Sequence, residues 1–162
     1  MRFGTLAILV ETAVIFLLLS GSAMPERVAS HFAGDGAANG FMPRNIYLGL
    51  MVGLAVALPF LLALPGWLMG RLPASLIQLP NREYWLAPER RADTLAFMTH
   101  WSAIFGAFVT VFLCYVHWLV VEANKVAPPH LATRPLVAGL VGFVICTFVW
   151  AGAFIAHFYR RP

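Results

Sequence analysis

The stretch Leu136–Ala156 reads LVAGLVGFVICTFVWAGAFIA and carries no charged residue. As a helix rising ~1.5 Å per residue it would extend about 30 Å, the thickness of a bilayer's hydrocarbon core. Three more apolar stretches precede it, at Phe3–Met24, Ile46–Met69 and Leu95–Val121. Each is long enough to cross a membrane. The composition agrees: 60% of the 162 residues are hydrophobic and 11% charged, against roughly 45–50% and about 25% in soluble domains. The sequence therefore predicts an all-α integral membrane bundle of four transmembrane helices, in a single domain covering 1–162. Pro59 and Pro65 predict a kink or an early end of the second span near Pro59.

Within the domain, residues 1–60 form a helix-loop-helix, 70–94 a cytoplasmic interfacial loop and 95–157 a helical hairpin. Glu11 lies inside the first apolar run, and only Arg2 precedes that run as a charge. Both features favour an uncleaved helix over a signal peptide cut after Ala23. Orientation follows from the basic residues. Arg2, Arg71, Arg82, Arg90, Arg91, Arg160 and Arg161 would share one side, and Arg27, Arg44, Lys125 and Arg134 the other. The larger set places both termini in the cytoplasm of a multi-pass cell-membrane protein. The net charge of +4 reflects this topology; no basic run points to nucleic acid. Cys114 and Cys146 stand inside apolar runs, without metal-site spacing, and read as packing thiols. No cofactor is implied, and membrane lipid is the first expected partner.

Helices in lipid associate through close packing and polar contacts, because acyl chains are as apolar as leucine. Small residues near a helical spacing thus mark contact faces. The third span offers His100, Ala103, Ala107, Thr110, Cys114 and His117, with Phe97, Trp101, Phe108, Phe112 and Trp118 left for lipid. The fourth offers Gly139, Gly142, Cys146, Ala153 and Ala156, and the second offers Gly49 and Gly53.

Polar groups within the spans are the candidate functional residues. Glu11 lies about 12 Å along the first helix, and a carboxylate there needs a proton, water or a partner. His100 enters the third span from the same side, which predicts a Glu11–His100 contact. That pair reads as structural first, and as a proton relay or ligand site second. His117 lies about 25 Å beyond His100 along the axis, so the two cannot share a metal. With His31 and Glu122, and near Asp35 and His130, His117 could hold a divalent ion, though separate interfacial histidines are the ordinary reading.

Two loops carry further signals. The first contains Pro25, Val28, His31, Phe32, Gly36, Asn39 and Gly40. Gly34, Gly36 and the pair Asn39-Gly40 predict tight turns in a structured extracytoplasmic cap, with His31 and Phe32 packed or hydrogen-bonded inside it. The second contains Asn81, Tyr84, Trp85, Leu86, Pro88 and Arg91. Its aromatic pair suits the headgroup level. Pro88 would open the next helix, with Glu89 in its first turn. Arg90 and Arg91 would meet anionic lipid.

These residues resemble the domain-of-unknown-function family numbered 1648, which also occurs in SdpI-type bacterial membrane proteins. The likeness covers the first helix, its loop and the start of the second, about a third of the chain. A similar Asn-x-x-Tyr-Trp-Leu-x-Pro-x-x-Arg segment supports it at 81–91. The family usually has proline where Ala29 stands and a polar residue where Ala33 stands. The resemblance implies a bacterial inner-membrane protein and, for part of the group, toxin immunity or signalling. The expected function is therefore a non-enzymatic accessory, immunity or signalling module, binding a membrane protein partner or a second copy of itself. The alternatives are a small proton-coupled transporter component using Glu11 and His100, and an intramembrane metal-binding enzyme. The last lacks a His-Glu-x-x-His motif.

Overall fold

The computed structural model describes residues 3–160. Four long helices form: α1 (Phe3–Ser22), α2 (Arg44–Leu68), α4 (Arg91–Ala123) and α5 (Thr133–Tyr159). All four are long and apolar enough to cross a membrane, which fits a multi-pass membrane protein. Between α1 and α2 the chain forms strands β1 (Arg27–Phe32) and β2 (Ala38–Pro43). Between α2 and α4 it makes two 3-10 turns, Met69–Arg71 and Ala74–Leu76, and the single-turn helix α3 (Arg82–Trp85).

Helices α1, α2 and α4 form the packed core. The Ser20–His117 hydrogen bond, together with the clustering of Leu6 and Ala103, makes α1 and α4 parallel. Tyr47 bonded to His117 and Gly66 set against Thr99 make α2 antiparallel to α4. One apolar cluster joins Leu17, Met51, Ala55 and Val120 with Met24 and Val28 at the hairpin end. A second joins Leu6, Val10, Ala63 and Ala103 toward the other end.

Backbone proximity explains why α2 and α4 pack most closely. A Cβ on Gly66 would come within 2.6 Å of Thr99 Cα, and one on Gly106 within 2.8 Å of the Pro59 carbonyl oxygen. Both contacts are closer than a side chain allows, so glycine sets the spacing. The expected pair Gly49 and Gly53 instead faces open space. The helix also runs through Pro59 to Leu68 rather than ending there. Pro59 is buried against α4, and packing by a neighbouring helix lets a membrane helix tolerate proline.

The fourth span departs further from expectation. Phe158 is the only buried residue of α5. Gly142 and Gly152 meet nothing, and Gly139 alone of the expected seam packs closely, against the Tyr115 ring. Instead, α5 attaches through aromatic rings. Phe97 stacks on His157 at 3.9 Å, Phe105 on Trp150 at 4.8 Å and Phe112 on Phe143 at 4.5 Å. Trp150 Nε1 donates to the Trp101 carbonyl at 3.1 Å. Thus Phe97, Trp101 and Phe112, expected to face lipid, form the α4–α5 seam. Flat rings join the helices at a wider separation than small residues would permit.

The first loop is an antiparallel β-hairpin, which an all-α reading omits. Val28 pairs with Met42 and His31 with Gly40. Its turn spans 33–37: Ala37 N–H donates to Asp35 Oδ1 at 3.0 Å, and Gly36 adopts φ +97°. Asn39-Gly40 makes no turn; both residues belong to β2. Gly40 is needed there because a Cβ would lie 2.9 Å from His31 Cβ across the ladder. The strands lack a period-two apolar pattern because the hairpin is held by the helix ends beneath it. Asn124, at the end of α4, accepts from Ala29 N–H at 2.8 Å and donates to the Ala29 carbonyl at 3.0 Å. Leu131 N–H donates to the Gly36 carbonyl at 2.8 Å, stitching the second connection to the first.

Candidate functional site

Directly below the hairpin, His117 is fully buried between α1 and α2. Its Nδ1 lies 3.0 Å from Tyr47 Oη and its Nε2 3.0 Å from Ser20 Oγ. The Tyr47 ring stacks on the imidazole at 5.6 Å and Phe16 meets it edge-on at 6.0 Å. Ser20 Oγ also lies 2.5 Å from the Phe16 carbonyl oxygen. A carbonyl only accepts, so the single serine proton points there. Ser20 must therefore accept from Nε2–H, and Nδ1 accepts from the Tyr47 hydroxyl. The tautomer follows from this chain of donors. The chain ends on a backbone carbonyl, so it binds three helices together and leads no proton onward. Ser20, Tyr47 and Asn124 are site-forming residues that sequence reading missed. The one signal was His117 itself, a polar group in a span that had to be satisfied from neighbouring helices.

The proposed metal ligands do not converge. His31 is exposed, with Nδ1 3.1 Å from Ser30 Oγ. Glu122 pairs with Lys125 at 2.6 Å on the surface. Both ring nitrogens of His117 are engaged. Among the described residues no three His, Cys, Asp or Glu side chains gather in a metal-binding group.

Glu11 and His100 are not joined by a hydrogen bond or an ion pair. The parallel register set by Ser20 and His117 levels each α1 residue with the α4 residue 97 positions later, so Glu11 is level with Phe108 along the axis. His100 is eight positions lower, ~12 Å along the axis, and exposed. Helix pairs that enter from one side need not start at the same depth; in this register Phe3, at the start of α1, is level with His100, nine positions after the start of α4 at Arg91. Glu11 therefore stands at mid-span on the outward face of α1. It lines an open groove of about 480 Å³ with Ala7, Val10, Val14, Ile15, Val56 and Phe60. Among the described residues it has no polar partner.

At the opposite end the second loop is anchored under α5. Asn81 Nδ2 and Trp85 Nε1 both donate to the Phe158 carbonyl at 3.0 Å. Asn81 holds a left-handed backbone, φ 51°, a conformation asparagine adopts more readily than most residues. Thr94 Oγ1 donates to the Trp85 carbonyl at 2.8 Å, and Leu86 is buried beside them. Tyr84 meets Trp85 edge-on, and the Arg90 guanidinium lies 4.1 Å above the Tyr84 ring. Arg91 Nη2 donates to the Leu72 carbonyl at 2.8 Å. Pro88 is exposed and does not open the helix: a turn closed onto the Ala87 carbonyl intervenes, α4 starts at Arg91, and Asp93 rather than Glu89 occupies its first turn.

Compared with protein-family models, curated proteins and solved structures, the chain matches none.

Proposed function

We propose that this chain is a non-enzymatic membrane module that binds a partner within the plane of the bilayer, as accessory, immunity or signalling proteins do. The contact would be the outward face of α1 and its groove with α2, and the occupant a partner's transmembrane helix. One observation carries this reading: Glu11 stands at mid-span, exposed in an apolar groove and without a polar partner among the described residues. A charged carboxylate facing acyl chains costs several kcal/mol, about 2.5–3.5 on insertion scales. A partner bringing Lys, Arg or another donor to that depth would remove the cost. Ile8 and Ile15, 65% and 58% exposed on the same face, would pack around the polar contact. Membership of the family numbered 1648, which the residues of both loops suggest although no family model matches, would imply the same class of function and a bacterial inner membrane.

Photo-crosslinkers placed at Ile8 and Ile15 should capture one defined membrane protein in cells. Glu11→Leu should abolish capture while leaving the chain folded, since Glu11 bonds to none of the described residues. A crosslinked companion that survives Glu11→Leu, or the absence of any companion, would exclude this reading.

A further inference from the structure

A second polar site lies at the other end of the molecule. Trp85, Arg90, Asp93, Thr94, Phe97 and His157 line a pocket of about 250 Å³. It opens where α4 begins and α5 ends, the level at which lipid headgroups meet a membrane protein. Its walls are fixed. The Trp85 indole is tied to the Phe158 carbonyl and its own carbonyl to Thr94, and Phe97 stacks on His157.

Its charges are not tied to each other. Arg90 and Asp93 stand one helical turn apart, a spacing that permits an ion pair. Yet the ion pair found among the described residues is Lys125–Glu122. Arg90 is drawn over the Tyr84 ring instead, leaving its N–H groups and the Asp93 oxygens available. An anionic ligand would meet Arg90 but be repelled by Asp93, and a cation would meet the reverse. A zwitterion satisfies both.

We propose that this pocket binds the headgroup of a phospholipid carrying a primary ammonium, such as phosphatidylethanolamine. Arg90 takes the phosphate and Asp93 the ammonium, which rests against the Trp85 and Phe97 rings. Trp85 and Phe97, each with one face set against His157, form an aromatic wall of the kind a cation favours, and Arg suits phosphate through its planar fork of donors. Asp93 and the Thr94 oxygen are acceptors. A primary ammonium donates three hydrogen bonds to such groups, whereas a trimethylammonium donates none. The site therefore selects ethanolamine over choline.

The test is native mass spectrometry of the full chain in detergent. It is offered equal amounts of phosphatidylethanolamine, phosphatidylcholine and phosphatidylglycerol with matched acyl chains. Phosphatidylethanolamine should be retained about tenfold over either competitor, the ratio expected for one charge-assisted hydrogen bond. Asp93→Asn should erase the preference for ethanolamine over choline. Arg90→Gln should lower retention of phosphatidylethanolamine and phosphatidylglycerol together. Thermal unfolding should change little in either variant, because among the described residues neither side chain forms a hydrogen bond or an ion pair. Equal retention of all three lipids, or an undiminished preference in Asp93→Asn, would overturn the assignment. So would binding of soluble phosphoethanolamine without retention of the lipid.

Discussion

Ser20 has one hydroxyl proton, and the Phe16 carbonyl receives it. That local fact orients the whole buried chain from Tyr47 through His117, because each group must then accept on one side and donate on the other. Tyr47→Phe would leave Nδ1 without a donor. Ser20→Ala would remove the acceptor of Nε2–H, and a switch of tautomer would only move the orphaned proton to the tyrosine hydroxyl. Each change should cost about 1 kcal/mol, the scale of interhelical hydrogen bonds in membranes. The double variant should cost less than the sum, since the two bonds share one imidazole. Reversible unfolding in mixed micelles measures both quantities. Strict additivity would mean that the two bonds are independent and the chain of donors is wrong. Glu11 presents the opposite case: a polar residue deeper in the span, nine positions before Ser20 on α1, with no polar partner among the described residues.

At the scale of elements, contact between α2 and α4 is a backbone contact. Gly106 against Pro59 and Gly66 against Thr99 let the two helices approach closer than any Cβ permits. Gly106→Val should separate them and destabilise the fold by about 1–3 kcal/mol, the usual range for overpacking. Gly53→Val is the matched control, since a Cβ there meets nothing; it should stay within about 0.5 kcal/mol of the parent. Equal effects at both positions in the same unfolding assay would show that helix propensity, rather than spacing, governs these glycines. The hairpin illustrates a different dependence. Its strands are short and irregular in register, and an isolated two-stranded hairpin is marginal in water. Asn124 supplies what a third strand would, pairing with both the N–H and the carbonyl of Ala29. The element exists because α4 ends beneath it.

For the whole molecule, the division is between a three-helix core and a laterally attached α5. The two ends also differ in charge. Arg71, Arg82, Arg90, Arg91 and Arg160 gather at the α3 end, and Arg27, Arg44, Lys125 and Arg134 at the hairpin end; Arg2 and Arg161 lie outside the described residues. In addition, Arg44 is held by the Ser22 and Met24 carbonyls that close α1, at 2.9 and 2.7 Å. If both termini lie in the cytoplasm, as the basic residues predict, Ser30→Cys in the hairpin should react with an impermeant maleimide on intact cells, and Ser75→Cys only after lysis; both parent cysteines would first be replaced. The reverse pattern would invert the topology. Four apolar spans follow from the sequence alone, because lipid demands about 20 consecutive apolar residues and leaves that length visible in the chain. The polar groups that need satisfaction were visible for the same reason: Glu11 and His117 stand out against an apolar background. Their partners were not. Whether His117 meets Ser20 and Tyr47, and whether Glu11 meets His100, depends on axial register between helices, which no local pattern encodes. Gly106 and Gly53 likewise look alike in sequence, and only the packed bundle decides that one touches a neighbouring backbone while the other faces open space.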